Sequence, residues 1–275
     1  VTTIAVIPAR FASTRFPGKP LASQTGKYLI QHVWEQARAA RRIDRVIVAT
    51  DDERIATAVR SFGGEVWLTA ADHPSGTSRV LEVVGALRLA DRDVVLNVQG
   101  DEPELAPAVL DQLVSCLEQG ETEVGIATLA ARFAEDGPRD GAGSPADPNC
   151  VKVVVDARGR ALYFSRSLIP YPRATGGRVD RPSRWLLHLG VYAFRAGTLH
   201  SIGTLAGSGD LDATESLEQL RWLQSGLEIG VLRVDHAFVG IDTPEDYAAF
   251  VARGRGRAGE VGGQGRGVDA ATCAE

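Results

Sequence analysis

Arg10, Ser13, Thr14, Arg15, Gly18 and Lys19 place three cations, two hydroxyls and a glycine in one short segment. The segment directly follows an apolar run, Ile4–Pro8. That order suits phosphate binding. At the end of a buried strand of an α/β sheet, backbone N–H groups and cations face the crevice beyond the strands' carboxyl ends. Neither G-x-x-x-x-G-K-[ST] nor G-x-G-x-x-G is present here, so this is a phosphate loop of a third kind. A solvated surface loop is the plainer alternative. The density of cations next to a buried strand favours the phosphate reading.

Asn97-Val98-Gln99-Gly100-Asp101-Glu102-Pro103 is the second chemical segment. An apolar strand delivers an amide, a glycine that permits close backbone approach, and two carboxylates. A carboxylate opposite a cationic loop suits Mg²⁺, a hard cation shared between carboxylates and substrate phosphates. Read structurally, Asp101-Glu102-Pro103 is a helix cap and turn, which accounts for Glu102 but not for Gln99 and Asp101 framing Gly100. In Asp242-Thr243-Pro244-Glu245-Asp246, Thr243 caps a helix, Pro244 opens it and two acids fill its first turn. Asp242 is then left free as a second metal carboxylate.

Weaker candidates follow. Asp72-His73-Pro74-Ser75-Gly76-Thr77 reads as a turn or as a backbone nest able to read a base. Alternation puts His188, Gly190 and Tyr192 on one strand face. Glu215, Glu218 and Gln219 fall about a turn apart on one expected helix, a pattern that is usually just a solvated face.

The elements that must position these residues alternate through the first half. Strands are predicted at Ile4–Pro8, Arg45–Ala49, Glu65–Leu68 and Val94–Val98. Helices are predicted at Tyr28–Ala40, Glu53–Phe62 after Asp52, Ser78–Leu89 and Pro107–Gln119. Such alternation implies an α/β fold: a mostly parallel sheet with helices on both faces. Right-handed crossovers then bring Arg10, Asp51 and Asp101 to one rim. The second half is richer in strands: Gly125–Ala130, Val151–Val155, Ala161–Phe164 and Leu189–Phe194. A turn at Asp156–Gly159 joins two of them. Gly137–Pro148 and Arg173–Arg184 read as loops, the latter mobile, and Ser216–Gln224 and Asp246–Val251 as helices. Gly254–Glu275 reads as a disordered Gly-rich tail after a domain spanning residues 1–252.

The chain has 275 residues, 44% hydrophobic, enough for one large core or a core plus a small subdomain. A net charge of -5 without basic runs argues against nucleic acid. No stretch has the length of a membrane span. Cys116, Cys150 and Cys273 are widely spaced, so neither a metal pair nor a disulfide framework is expected. With no signal-like opening segment, a reducing cytoplasm is the expected location.

In order, the chain carries Pro8-Ala9-Arg10-x-x-Ser13-x-Arg15-x-Pro17-Gly18-Lys19-Pro20-Leu21, Asn97–Pro103, His188-x-Gly190-x-Tyr192, Leu217-Glu218-Gln219-Leu220-Arg221 and Asp242–Asp246. The set resembles the 3-deoxy-manno-octulosonate (KDO) cytidylyltransferases from about Ile4 to Val251. The resemblance implies a Rossmann-like three-layer fold of the nucleotide-diphospho-sugar transferase type, with a strand-rich insertion for sugar binding and dimer contact. It implies the reaction CTP + KDO → CMP-KDO + diphosphate, for surface glycan synthesis, in a homodimer. Arg10 and Lys19, assisted by Ser13, would hold the triphosphate, and Ser75 and Gly76 the cytosine. Asp101 and Asp242 would hold Mg²⁺, with Arg10, Lys19 and Asp101 catalytic. Arg15, Gln99, His188, Tyr192, Glu218 and Gln219 would bind the sugar acid. A related 2-keto sugar acid as substrate, or a non-catalytic nucleotide-binding protein on the same fold, are the alternatives. The sequence departs from the family pattern at Ser78, where Glu is usual, at Trp67, and in the long Gly137–Pro148 loop.

Overall fold

The computed structural model describes residues 1–119, 124–205, 209–238 and 240–262. Its strands are β1 (Thr3–Ala9), β2 (Arg45–Thr50), β3 (Glu65–Leu68), β4 (Val94–Asn97), β5 (Ile126–Arg132), β6 (Lys152–Val155), β7 (Ala161–Ser165), β8 (Leu186–Arg195) and β9 (Ile229–Val234). The helices are α1 (Leu29–Ala39), α2 (Glu53–Ser61), α3 (Gly76–Leu87), α4 (Pro107–Gln119), α5 (Ala196–Gly203), α6 (Asp210–Glu215), α7 (Gln219–Gln224) and α8 (Pro244–Gly262). All described strands join one sheet, in the order β3-β2-β1-β4-β8-β5-β9, with β6 and β7 branching from β8. β8 runs antiparallel to both β4 and β5, while β5 and β9 are parallel.

Why these residues make three layers is visible in β1. Ala5 and Ile7 pack on one face with Ile30, Val33, Leu110 and Val114 of α1 and α4. Ile4 and Val6 pack on the other with Val80, Val83 and Val84 of α3 and Leu199 of α5. A strand covered on both faces must be apolar at every position, so its sequence shows a continuous run instead of alternation. Parallel strands end at one edge, and that edge gathers the loops after β1, β2 and β4.

The caps of α2 match their sequence signals. Asp52 accepts from the Arg54 N–H at 2.9 Å to start α2, and Gly63 at φ 80° follows its end. α3 begins at Gly76, two residues before the expected start, because Ser75 is its cap. The Ser75 hydroxyl accepts from the Ser78 N–H at 3.1 Å, and the Ser78 hydroxyl accepts from the Ser75 N–H at 3.2 Å. Ser78 therefore does the job that a longer acidic side chain does in a standard capping box.

The second half departs further. Ser216–Gln224 is not one helix: Ser216 takes φ 51°, a left-handed conformation that separates α6 from α7. Glu215 closes α6 and Glu218 precedes α7, so the expected shared helix face does not form. α5 and α6 were not anticipated. β8 is longer than expected, and its pairing with β5 jumps from Thr128↔Tyr192 to Leu129↔Leu189. Two residues, Gly190 and Val191, are extra; an even number preserves the side-chain parity, so His188 and Tyr192 still share a face. The Asp156–Gly159 turn forms as expected, with Gly159 N–H on Asp156 O at 3.1 Å. The Arg173–Arg184 segment holds two short 3₁₀ turns and buries Val179 against Phe133 and Trp185. α8 continues past Val251 and past the expected tail start at Gly254, as one 19-residue helix. The rest of the expected tail, Cys273 included, lies outside the described residues.

Gly100 is where close approach matters most. A Cβ there would stand 3.0 Å from the Pro8 carbonyl oxygen and 3.4 Å from Ile30 Cδ1. Backbone cannot retreat as a flexible side chain can. Gly100→Ala is expected to cost about 1–3 kcal/mol, the range for overpacking, read as a lower denaturant midpoint at unchanged slope.

Candidate functional site

A cleft of about 450 Å³ opens at the carboxyl edge of the sheet. Its lining joins the β1 loop (Arg10, Ser13, Arg15, Lys19), the start of α3 (Ser75, Gly76, Arg79), the β4 loop (Gln99, Asp101) and Asp242. The volume suits a small-molecule ligand. The loop is closed by Gly18, at φ 70°, whose N–H donates to Phe11 O at 3.0 Å. The Ser13 hydroxyl accepts from the Phe16 N–H at 3.3 Å within this loop.

Lys19 is the centre of the arrangement. Its ammonium lies 2.8 Å from Asp101 Oδ2 and 3.6 Å from Asp242 Oδ1, and donates to Ile241 O at 2.6 Å. Arg15 reaches Asp242 Oδ1 at 3.0 Å. Asp242 is placed by the cap of α8, where Asp246 accepts from the N–H groups of Asp242 and Thr243 at 3.0 and 2.9 Å. The Ile241 N–H donates to Asp101 O at 2.9 Å, tying this segment to the β4 loop. Further out, Arg253 of α8 grips Glu104 with two hydrogen bonds of 3.3 and 2.7 Å.

Asp101 and Asp242 thus converge on one point with oxygen donors only, which fits a hard divalent cation. No group of three or more His, Cys, Asp or Glu side chains converges among the described residues. Two carboxylates leave the other coordination positions to phosphate oxygens and water, the usual Mg²⁺ pattern.

Glu102 does not cap a helix, because α4 starts only at Pro107. Its Oε2 is buried without a hydrogen-bond partner. Burial, and then the neighbouring Asp101 charge, push its carboxyl up to about 8.

His188, Tyr192, Glu218 and Gln219 do not line the cleft; His188 and Tyr192 lie in an aromatic cluster on β8, Glu218 bonds the start of α3, and Gln219 is buried at the start of α7. The Gln99 amide donates to Gly190 O at 3.1 Å and so bridges cleft and cluster. The Thr128 hydroxyl sits between His188 Nε2 at 3.0 Å and the carbonyls of Leu189 and Val191 at 3.2 and 2.8 Å, pinning the β8 bulge. The His188 ring meets Phe164 and Tyr192 at centroid distances of 4.8 and 5.5 Å. Burial lowers its pKa to about 3, so the imidazole is neutral. Glu218 accepts from the Ser75 and Thr77 hydroxyls at 3.1 and 2.9 Å, yet burial outweighs these bonds and raises its pKa. Glu215, by contrast, is spent on structure: it accepts from the Ser165 hydroxyl and the Arg166 N–H at 2.5 and 2.8 Å.

Sequence reasoning missed Arg79 as a cleft residue. It is 1% exposed, pairs with Asp51 at 3.0 Å and donates to Thr69. The available signal was its place one helical turn after Ser75, facing the same rim as Asp51. Arg79→Met leaves the Asp51 carboxylate unpaired. Because Asp51 is a quarter exposed, the expected loss lies at or below the low end of the ~3–5 kcal/mol typical of broken buried pairs, measured by thermal melting.

Comparison with known proteins agrees with this geometry. The cytidylyltransferase family model matches residues 4–229. The 3-deoxy-manno-octulosonate cytidylyltransferase of Porphyromonas gingivalis is 46% identical over 255 residues, covering 90% of this chain and 95% of that protein. The 8-amino-3,8-dideoxy-manno-octulosonate cytidylyltransferase of Shewanella pealeana is 44% identical over 248 residues, covering 90% and 96%. A solved structure of CMP:2-keto-3-deoxy-manno-octonic acid synthetase complexed with CTP superposes with a TM-score of 0.81 at 39% identity, covering 94% of this chain and all of that one. With its sheet, its cationic first loop and this degree of identity over nearly its whole length, the chain belongs to the cytidylyltransferase family, among the 3-deoxy-manno-octulosonate cytidylyltransferases.

Proposed function

We propose that this chain transfers CMP from CTP to the anomeric hydroxyl of 3-deoxy-manno-octulosonate and releases diphosphate. The observation that carries the reading is the convergence of Asp101 and Asp242 opposite the cations of the β1 loop. In-line attack on the α-phosphorus needs no covalent enzyme intermediate, so catalysis is positioning and charge neutralisation. Arg10 and Lys19 hold the triphosphate, with Ser13 beside them. Gly76, at the start of α3, offers backbone to the cytosine. The Ser75 hydroxyl holds that helix start in place, because it bonds Ser78 and Glu218 at once. Asp101 and Asp242 are the carboxylates that would hold Mg²⁺. When bound, the ion supplies charge neutralisation at the attacking and leaving oxygens.

The sugar acid lies toward Gln99, with the Arg15 fork matched to its carboxylate. His188, Tyr192, Glu218 and Gln219 support that side. A neutral His188 can donate or accept toward a hydroxyl without adding charge there. The similarity to an 8-amino-octulosonate enzyme favours one second reading, the same transfer to the amino sugar.

The test is diphosphate release with CTP and Mg²⁺, comparing 3-deoxy-manno-octulosonate, its 8-amino-8-deoxy form, N-acetylneuraminate and no sugar. Release with the first alone supports the main reading, and preference for the second supports the other. Release with neither octulosonate, from a folded protein that binds CTP, refutes both.

The same reading makes the protein a cytoplasmic homodimer that does not bind nucleic acid. The acidic balance of the chain supports the last point. Support for the dimer comes from the β6–β7 hairpin, where Leu162 is 62% exposed, and from Tyr171 nearby in sequence at 65%. Sedimentation at micromolar concentration tests it, and a monomer would refute it. Among the described residues no helix is long and apolar enough to cross a membrane.

A further inference from the structure

The Lys19 ammonium is held by more than one partner. Asp101 Oδ2, Ile241 O and Asp242 Oδ1 surround it at 2.8, 2.6 and 3.6 Å. The side chain is only 12% exposed. Two of the three oxygens are charged, and they come from segments far apart in sequence. Those segments are locked together by the Ile241 N–H on Asp101 O and, farther along, by Arg253 on Glu104. The cradle is therefore built by the fold and not by Lys19 itself.

An ammonium is a compact, strongly hydrated point charge, and a cage of carboxylate and carbonyl oxygens is also what a hard divalent ion requires. We propose that Lys19 and the divalent cation are alternative occupants of the oxygen cradle formed by Asp101, Ile241 and Asp242, so that the metal competes with Lys19 and binds weakly when alone, and binds tightly with a polyphosphate that draws Lys19 away. This rests on the CTP reading of the cleft and adds an order of events to it.

Two cations cannot share so small a space at low cost, because their repulsion is strong wherever water is partly excluded. A metal arriving alone must expel Lys19 from three oxygens and leave its charge with no replacement partner. A metal arriving with a triphosphate brings that partner, since the phosphates accept the ammonium that the cradle gives up. Arg15 stands in the same relation to Asp242, 3.0 Å away on its exposed side. Metal on Asp242 releases the guanidinium for the carboxylate of the second substrate. Metal and nucleotide are then positively coupled. By linkage each tightens the other by the same factor.

The test is Mn²⁺ binding to the full chain, read by electron paramagnetic resonance of the free ion, with and without CTP and with no sugar present. Without CTP, wild type is expected to bind Mn²⁺ weakly and Lys19→Met about tenfold or more tightly. Lys19→Arg keeps a cation in place and is expected to stay close to wild type. Adding Asp101→Asn to Lys19→Met is expected to abolish the gain. Lys19→Met binding no tighter than wild type, while wild type takes up Mn²⁺ with CTP, overturns the competition but leaves the reading of the cleft intact. Failure of wild type to take up Mn²⁺ even with CTP overturns both.

A measurement on wild type alone guards against misfolded variants. Saturating Mn²⁺ without nucleotide is expected to raise the rate at which Lys19 is acylated, read by peptide mass spectrometry. An unchanged rate at saturation overturns the proposal.

Discussion

Asp101→Asn is expected to lower kcat by on the order of 10²–10³-fold or more, the range seen when one preorganised partner of transition-state charge is removed. The change keeps shape and deletes one charge. Asp101 is partly exposed at the sheet edge and packs no core residue, so little stability rides on it. Its ion pair with Lys19 is partly buried, with side chains 30% and 12% exposed, but Lys19 keeps Ile241 O and Asp242 as partners when the Asp101 charge is removed. Turnover and melting temperature should therefore separate: activity nearly gone, the melt within a few degrees of wild type. Near-normal turnover in Asp101→Asn would remove this carboxylate from the proposed metal site. An equal collapse of melt and turnover would show that its role is structural.

The second large effect concerns stability and comes from the adjacent residue. Glu102 has an ordinary carboxyl pKa of 4.5 in the unfolded chain and one raised to about 8 in the fold. Below 4.5 both states hold the proton and nothing is lost. Between 4.5 and about 8 the unfolded chain releases it while the folded chain keeps it, so stability falls as pH rises. Above about 8 the penalty is constant. At ~1.4 kcal/mol per unit, the full penalty is at most about 5 kcal/mol. Glu102→Gln removes the titration at nearly constant volume. Its denaturation midpoint is expected to match wild type near pH 4.5 and to exceed it increasingly up to pH 8, in buffer containing a chelator. Parallel pH profiles for the two proteins would show that Glu102 finds compensation in the fold.

What the sequence disclosed and what it hid follow physical lines. The parallel half was legible because each buried strand is an unbroken apolar run and the start of α2 carries a clear cap at Asp52. Asp51 and Asp101 were brought to the same rim as Arg10 by topology alone. The weaker half depends on contacts with no local signal. The left-handed Ser216 splits a helical pattern that otherwise reads as continuous, and no glycine marks the break. α5 and α6 are short, eight and six residues; α5 is held by burying Ala196, Leu199 and Ile202, whereas α6 buries no residue. Arg79 was missed because its partner Asp51 lies on a different loop, and only the fold brings the two together. Glu102 looked like a cap residue because a Pro follows it. In the fold its Oε2 is enclosed without a hydrogen-bond partner, and no helix starts there for it to cap.

The antiparallel β8 has a consequence for the making of the protein. β4 is complete at Asn97, yet its second neighbour is the strand ending at Arg195. Until that later strand arrives, β4 presents a row of unpaired backbone groups beside Val94, Val95 and Leu96, an open edge of the kind that recruits other chains. During synthesis this edge waits for about a hundred further residues, some 5–20 s at ordinary elongation rates. The four-stranded N-terminal sheet is therefore a nascent-chain hazard. It is a natural client for a holding chaperone, and a nascent chain arrested before Arg195 would be prone to aggregate through that edge.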